Sequence, residues 1–79
     1  MRFEWDEAKN DANRRKHGLG FETACRVFED PLVLSQPERM VDDEQRWQTI
    51  GEVAGVALVL VAHTIRDGQD DEVIRIISA

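Results

Sequence analysis

With 79 residues, the chain has room for one domain, and so short a chain buries only about 60% of the surface its unfolded form exposes. A hydrophobic fraction of 42% beside a charged fraction of 33% excludes a disordered tract. The longest apolar run, Val56 to Ala62, falls far short of the roughly 20 residues that span a bilayer.

The net charge of −6 repels a phosphate backbone unless positive charge is gathered locally. It is gathered. Residues 1–20 carry +1, residues 21–52 carry −5 and residues 53–79 carry −2. The acidic middle is a solvated face or a surface for a basic protein partner. No basic–apolar–small segment opens the chain, so the expected location is cytoplasmic, with no membrane contact. Cys25 stands alone, cannot form an internal disulfide, and sits in an apolar stripe as a small hydrophobe.

Arg2 to Trp5 alternates charged and aromatic residues, which predicts a short strand with Phe3 and Trp5 on one side. Asp6 is placed to cap a helix, with Glu7 favourable in its first turn. That helix should run to Lys16 or His17 and stop at Gly18, which adopts a left-handed conformation at little cost. Its apolar face is poor, with only Ala8 and Ala12. Phe21, Ala24, Cys25 and Phe28 have the i, i+3, i+4, i+7 spacing of one buried helical stripe. Asp30-Pro31 ends it.

Leu32 to Leu34 reads as a short strand. Gln36 to Glu44 is polar and contains Pro37, which predicts a loop, the most mobile part of the chain. Arg46 to Glu52 alternates, with Trp47 and Thr49 opposite Ile50. Ala54-Gly55 predicts a turn, Val56 to Ile65 a central strand apolar on both faces, Asp67-Gly68 a second turn, and Val73 to Ile77 a last strand. The expected fold is α+β, one domain over residues 1–79. Two helices lie on one face of a curved antiparallel sheet.

The chemistry open to this chain is narrow. His17 and His63 have no partner at metal-ligand spacing, and there is no glycine-rich phosphate loop, so no metal or other cofactor is expected. Metal-free RNA cleavage fits a few scattered polar residues, because the substrate supplies its own nucleophile, the 2′-hydroxyl. The protein then needs only proton transfer, cations on the phosphate and a donor for the leaving oxygen. Histidine suits the first task and arginine the second.

Arg14-Arg15-Lys16-His17 is the densest basic cluster, either a phosphate-binding edge or a run that a helix C-terminus favours in any case. Arg75 interrupts an apolar strand on the side of Val73 and Ile77, so it meets water or serves a function. His63 and Arg66 differ in parity and should not share a face, and His63 reads as a core histidine. Trp5 and Trp47 read as packing residues.

Taken in order, several pieces of this chain resemble the BrnT family of toxins, whose fold is similar to RelE-type ribonucleases. They are Phe3-Glu4-Trp5-Asp6, Asn13 with Lys16-His17-Gly18, Phe21-Glu22, Val27-Phe28-Glu29-Asp30-Pro31-Leu32, Arg46-Trp47-Gln48-Thr49-Ile50-Gly51, and Ile74-Arg75-Ile76-Ile77-Ser78-Ala79. The resemblance implies a growth-arresting endoribonuclease neutralised by a BrnA-type DNA-binding antitoxin. It carries over Lys16, His17, Arg46 and Arg75 as site residues. Side-chain chemistry makes His17 the proton-transfer group and Lys16 and Arg75 the phosphate-holding cations, with Arg46, Arg66 and Arg15 on the RNA. The family usually continues past the Ser-Ala with a basic tail, where this sequence reaches Ala79. That departure keeps two alternatives open: a catalytically impaired module that retains antitoxin binding, and a self-associating domain.

Overall fold

The computed structural model describes residues 1–54, 57–67 and 71–79. Strand β1 (Arg2–Trp5) leads into helix α1 (Glu7–His17), then helix α2 (Phe21–Ala24) and a 3₁₀ segment, Cys25–Glu29. Strands β2 (Leu34–Val41), β3 (Glu44–Val53), β4 (Ala57–Asp67) and β5 (Glu72–Ser78) follow. They form one open sheet in the order β1-β5-β4-β3-β2. The fold is α+β, as the sequence implies. The sheet is mixed rather than wholly antiparallel, because β1 pairs with β5 in parallel. Gly55, Val56 and Gly68, which belong to the two predicted turns and the start of the central strand, lie outside the described residues.

Helix α1 begins and ends where its caps require. The Asp6 carboxylate accepts from the backbone N–H of Ala8 and Lys9, and Gly18 closes the helix at φ 72°. In place of an apolar stripe the helix buries two asparagines. Asn10 Oδ1 accepts from Phe21 N–H at 2.8 Å and its amide donates to Glu22 Oε1 at 3.0 Å. Asn13 donates to the Leu19 carbonyl and accepts from Ala79 N–H. These bonds fix the helix against the start of α2 and the end of β5.

The predicted second helix keeps α-geometry for one turn and then tightens. Three residues per turn bring Phe21, Ala24 and Val27 into line, and these three are fully buried, while Cys25 and Phe28 are half-buried. With Val53, Val59, Val61, Ile74 and Ile76 they make the core. Gly51 lets the 3₁₀ segment come close, since a Cβ there would meet the Val27 carbonyl oxygen at 3.0 Å.

Two expectations between residues 32 and 44 are overturned. The strand is not Leu32–Leu34, and Gln36–Glu44 is not a loop: these residues form β2 and the start of β3. Asp42 and Asp43 join the strands at φ 50° and 64°, the geometry of a two-residue type I′ turn. Pro37 is tolerated because β2 is an edge strand, and the register shifts between Pro37 and Met40.

Candidate functional site

Strand alternation divides the polar residues between two faces. The helix-covered face holds Phe3 and Trp5 of β1, Ile74 and Ile76 of β5, His63 of β4 and Thr49 of β3. The open face holds the arginines.

On that face, Glu4 lies opposite Arg75 across β1 and β5, and Arg75 lies opposite Thr64 across β5 and β4. The β3–β4 register pairs Trp47 with His63, so one further step puts Arg46 beside Thr64. Glu4, Arg75, Thr64 and Arg46 therefore form a single row across four strands. Arg66, two residues beyond Thr64 on β4, joins it through side-chain contacts. Its guanidinium lies 3.6 Å from Glu4 Oε1 and 3.6 Å from Glu44 Oε2, while Arg75 lies 3.4 Å from the same Glu4 oxygen.

Two buried polar atoms in this row, Thr64 Oγ1 and Arg46 Nε, have no hydrogen-bond partner among the described residues. Thr64 is 1% exposed and stands among three arginines in a position that the packing on the helix side does not reach. Unused donors beside guanidinium groups are the makings of an anion site.

The next cross-strand row on this face runs Ser78, Ala62, Gln48. Two residues of strand separate it from the arginine row, about 7 Å. A groove of about 420 Å³ at the end of β5 joins this row to the helix side, bounded by Gln48, Leu60, Ala62 and Ser78 from the open face and by His17, Leu19 and Val59 from the other. His17, exposed at the end of α1, stands at the border of this groove. Lys16 lies beside Ile77 and Ser78 in an adjoining groove with Lys9 and His17. The structure brings Arg46, Arg66 and Arg75 together and sets Lys16 and His17 at the same end of β5. Arg15 is exposed on α1 and makes no hydrogen bond or ion pair among the described residues.

Contrary to simple strand alternation, Arg75 shares its side with Val73 but not with Ile77. His63 pairs with Ile76 while Ala62 pairs with Ser78, so Ile77 is an inserted residue in a β-bulge.

His63 is a core residue, on the opposite face from Arg66, as its parity requires. Its ring packs edge-on to Phe28 at 5.2 Å, and burial holds its pKa below the ordinary histidine value. Nδ1 lies 3.3 Å from the Thr64 carbonyl, which can only accept, so Nδ1 carries the proton. Nε2 then accepts from Thr49 Oγ1 at 2.6 Å, and Thr49 in turn accepts from Ser35 Oγ at 2.6 Å. The result is a one-way chain of donors across three strands. Trp5 packs edge-on to Phe21, and Trp47 is half-buried opposite His63.

Sequence reasoning missed Glu4. Its alternation with Phe3 and Trp5 placed it away from the core, but only the parallel pairing of β1 with β5 brings it to Arg75. It also missed an apolar patch beside the arginines: Leu34, Ile50, Leu58 and Leu60 are exposed on neighbouring strands of the open face, Leu58 by 72%. No described helix is long and apolar enough to cross a membrane.

A family model for the BrnT ribonuclease toxin of type II toxin–antitoxin systems matches residues 5–79. The crystal structure of the Brucella abortus ribonuclease toxin, BrnT, is similar to this fold with a TM-score of 0.69 at 29% sequence identity. The match covers 99% of this chain and 91% of that one. Among curated proteins there is no match.

Proposed function

The chain belongs to the BrnT family of ribonuclease toxins of type II toxin–antitoxin systems, and on that premise we propose that it is a metal-independent endoribonuclease neutralised by a BrnA-type antitoxin. The observation that carries this reading is the arginine row on the open sheet face, with the His17 groove one row away. Arg46, Arg66 and Arg75 hold the scissile phosphate, each guanidinium offering a fork of N–H donors that matches two phosphate oxygens. As the 2′-oxygen closes on phosphorus, charge accumulates on those oxygens, and fixed cations stabilise that state more than the ground state. His17 is the proton-transfer group at the edge of the site. Lys16 adds positive charge along the strand leading to it, and Arg15 meets the RNA further out.

Purified protein freed of any antitoxin tests this directly. A short RNA incubated with it in EDTA should be cut, leaving 2′,3′-cyclic phosphate ends. The same oligonucleotide with 2′-deoxyribose at the cleavage site should survive. Intact RNA after prolonged incubation overturns the reading.

The exposed leucines and Ile50 favour a second reading, in which this face chiefly binds the antitoxin and cleavage has been lost. Under that reading Arg75→Ala leaves growth arrest unchanged, whereas relief of arrest supports the nuclease. Self-association through the same patch would appear as a dimer mass in solution.

A further inference from the structure

An RNA-cleaving site of this kind needs a group to take the 2′-hydroxyl proton, and it must lie beside the phosphate that the cations hold. His63 is excluded because it is buried on the other face of the sheet with both ring nitrogens engaged. His17 lies one cross-strand row away, at the border of its groove. Within the arginine row itself one carboxylate touches two guanidinium groups: Glu4, whose Oε1 lies 3.4 Å from Arg75 and 3.6 Å from Arg66. Glu44 touches Arg66 alone, from the start of β3.

We propose that Glu4 is the general base of the cleavage reaction, a role that rests on the ribonuclease reading above. Strand β1 supplies it as an in-register neighbour of Arg75, so the base and the phosphate-binding cation are held by one strand pair. Each guanidinium has five N–H donors, and the contact with Glu4 Oε1 leaves most of them for phosphate oxygens. Thr64 Oγ1 and Arg46 Nε, at the centre of the row and without a partner among the described residues, are further donors to the same anion.

The step balances within the enzyme and its substrate. The Glu4 carboxylate takes the proton of the 2′-hydroxyl, and the 2′-oxygen forms a bond to phosphorus. The bond from phosphorus to the 5′-oxygen breaks, giving a 2′,3′-cyclic phosphate. The departing oxygen takes a proton from the protonated His17 ring. The two groups therefore divide the proton transfers, Glu4 inside the arginine row and His17 at its border.

Glu4→Gln tests this against the plain alternative, in which Glu4 is only a resident counter-ion for the arginines. Single-turnover cleavage and affinity for a 2′-deoxy-substituted RNA are measured on wild type, Glu4→Gln, Glu4→Ala and Arg75→Ala, with melting curves to verify folding. If Glu4 is the base, kcat falls by about 100-fold or more in Glu4→Gln, in line with the loss of a general base. Affinity for the uncleavable RNA stays equal or tightens, because a negative charge has left the site. Added formate restores part of the Glu4→Ala rate. Glu4→Gln that cleaves as fast as wild type, or faster, overturns the base while Arg75→Ala, if inactive, leaves the nuclease reading standing. Wild type that does not cleave overturns both.

Discussion

Arg75 and Glu4 face one another across the parallel β1–β5 strand pair, with Arg75 3.4 Å from the Glu4 carboxylate. Arg75 thereby stays on the open face although its strand neighbours Ile74 and Ile76 are fully buried. The Arg75 and Glu4 side chains are 37% and 40% exposed, so water screens the attraction and its contribution to stability is small, less than about 1 kcal/mol.

Arg75→Ala should therefore melt close to wild type while losing cleavage. The expected fall in kcat is about 100- to 1,000-fold, the usual cost of removing one donor from developing charge. Arg75→Lys keeps the charge and loses the two-pronged geometry, and it should recover only a small part of the rate. Cleavage assays and thermal melts on the two variants check this together. Full activity in Arg75→Lys would show that charge alone matters at this position.

His63 predicts a pH dependence of stability. Its folded pKa lies below the ordinary value because burial disfavours the charged ring. Between the depressed folded value and the unfolded value of about 6.5, the unfolded chain binds more protons, so stability rises with pH through that window. It is fully present above about pH 6.5 and is lost as pH falls below it. The melting temperature should begin to drop on the acidic side of about pH 6.5, before the carboxylates titrate. His63→Gln should flatten that part of the curve. It should also lower stability at neutral pH, because Thr49 and Ser35 lose the end of their donor chain. A curve of unchanged shape in His63→Gln would exclude His63 as its source.

Legibility in the sequence followed how local the cause was. Asp6 and Gly18 fix the ends of α1 by bonds within a few residues, and both ends were readable. The parity of His63 and Arg66 needed only strand alternation. By contrast, β2 is masked in the sequence, where Pro37 and a polar run look like a break, and an edge strand with two exposed faces carries no apolar alternation. The 3₁₀ segment kept the apolar residues of a helix but exchanged Phe28 for Val27 in the deepest position, which a 3.6-residue period does not anticipate. Arg46, Arg66 and Arg75 were identifiable as candidates one by one. Their assembly with Glu4 depends on strand order, and no short-range signal in the chain specifies that order.

Gly51 shows a packing constraint of the same long-range kind. A methyl group there would lie 3.0 Å from the Val27 carbonyl oxygen and 3.3 Å from Val27 Cβ, both on a backbone segment that cannot swing aside. Gly51→Ala should force the 3₁₀ segment outward and destabilise the domain by about 1–3 kcal/mol. For a chain of this size each kcal/mol moves the melting temperature by about 4–8 °C. Arginine positions on the open face are untouched, so RNA affinity measured well below the melting point should be retained. A melting temperature equal to wild type would show that the segment has room to adjust.

Asn10 gives the corresponding polar case. It is fully buried, and its amide serves Phe21 N–H on one side and Glu22 on the other. Asn10→Ala leaves the buried Phe21 N–H without a partner and should cost about 1–3 kcal/mol. Asn10→Asp keeps the acceptor but sets a second carboxylate against Glu22, so it should recover little. Replacing Glu22 by Gln in the Asn10→Asp background removes the repulsion and should restore part of the loss. A double-mutant cycle measures that coupling, and strict additivity would rule out the Asn10–Glu22 contact.

The Asp42-Asp43 turn is a place where stability can be gained. Both residues hold positive φ, which costs L side chains energy and which glycine adopts freely. Asp43→Gly keeps the two-residue connection, and with Asp42→Asn it gives the pair that type I′ turns most favour. Relief of strain is offset in part by the extra freedom glycine gives the unfolded chain, so the expected gain is about 0.5–1 kcal/mol. Glu44 follows the turn directly and reaches Arg66 at 3.6 Å, so a slipped register would also disturb the arginine cluster. The double variant should therefore melt several degrees higher and cleave RNA at the wild-type rate. A gain in melting temperature with a loss of cleavage would mean that the turn had been reset in a new register. A fall in melting temperature would mean that the two aspartates hold the turn by something other than backbone conformation.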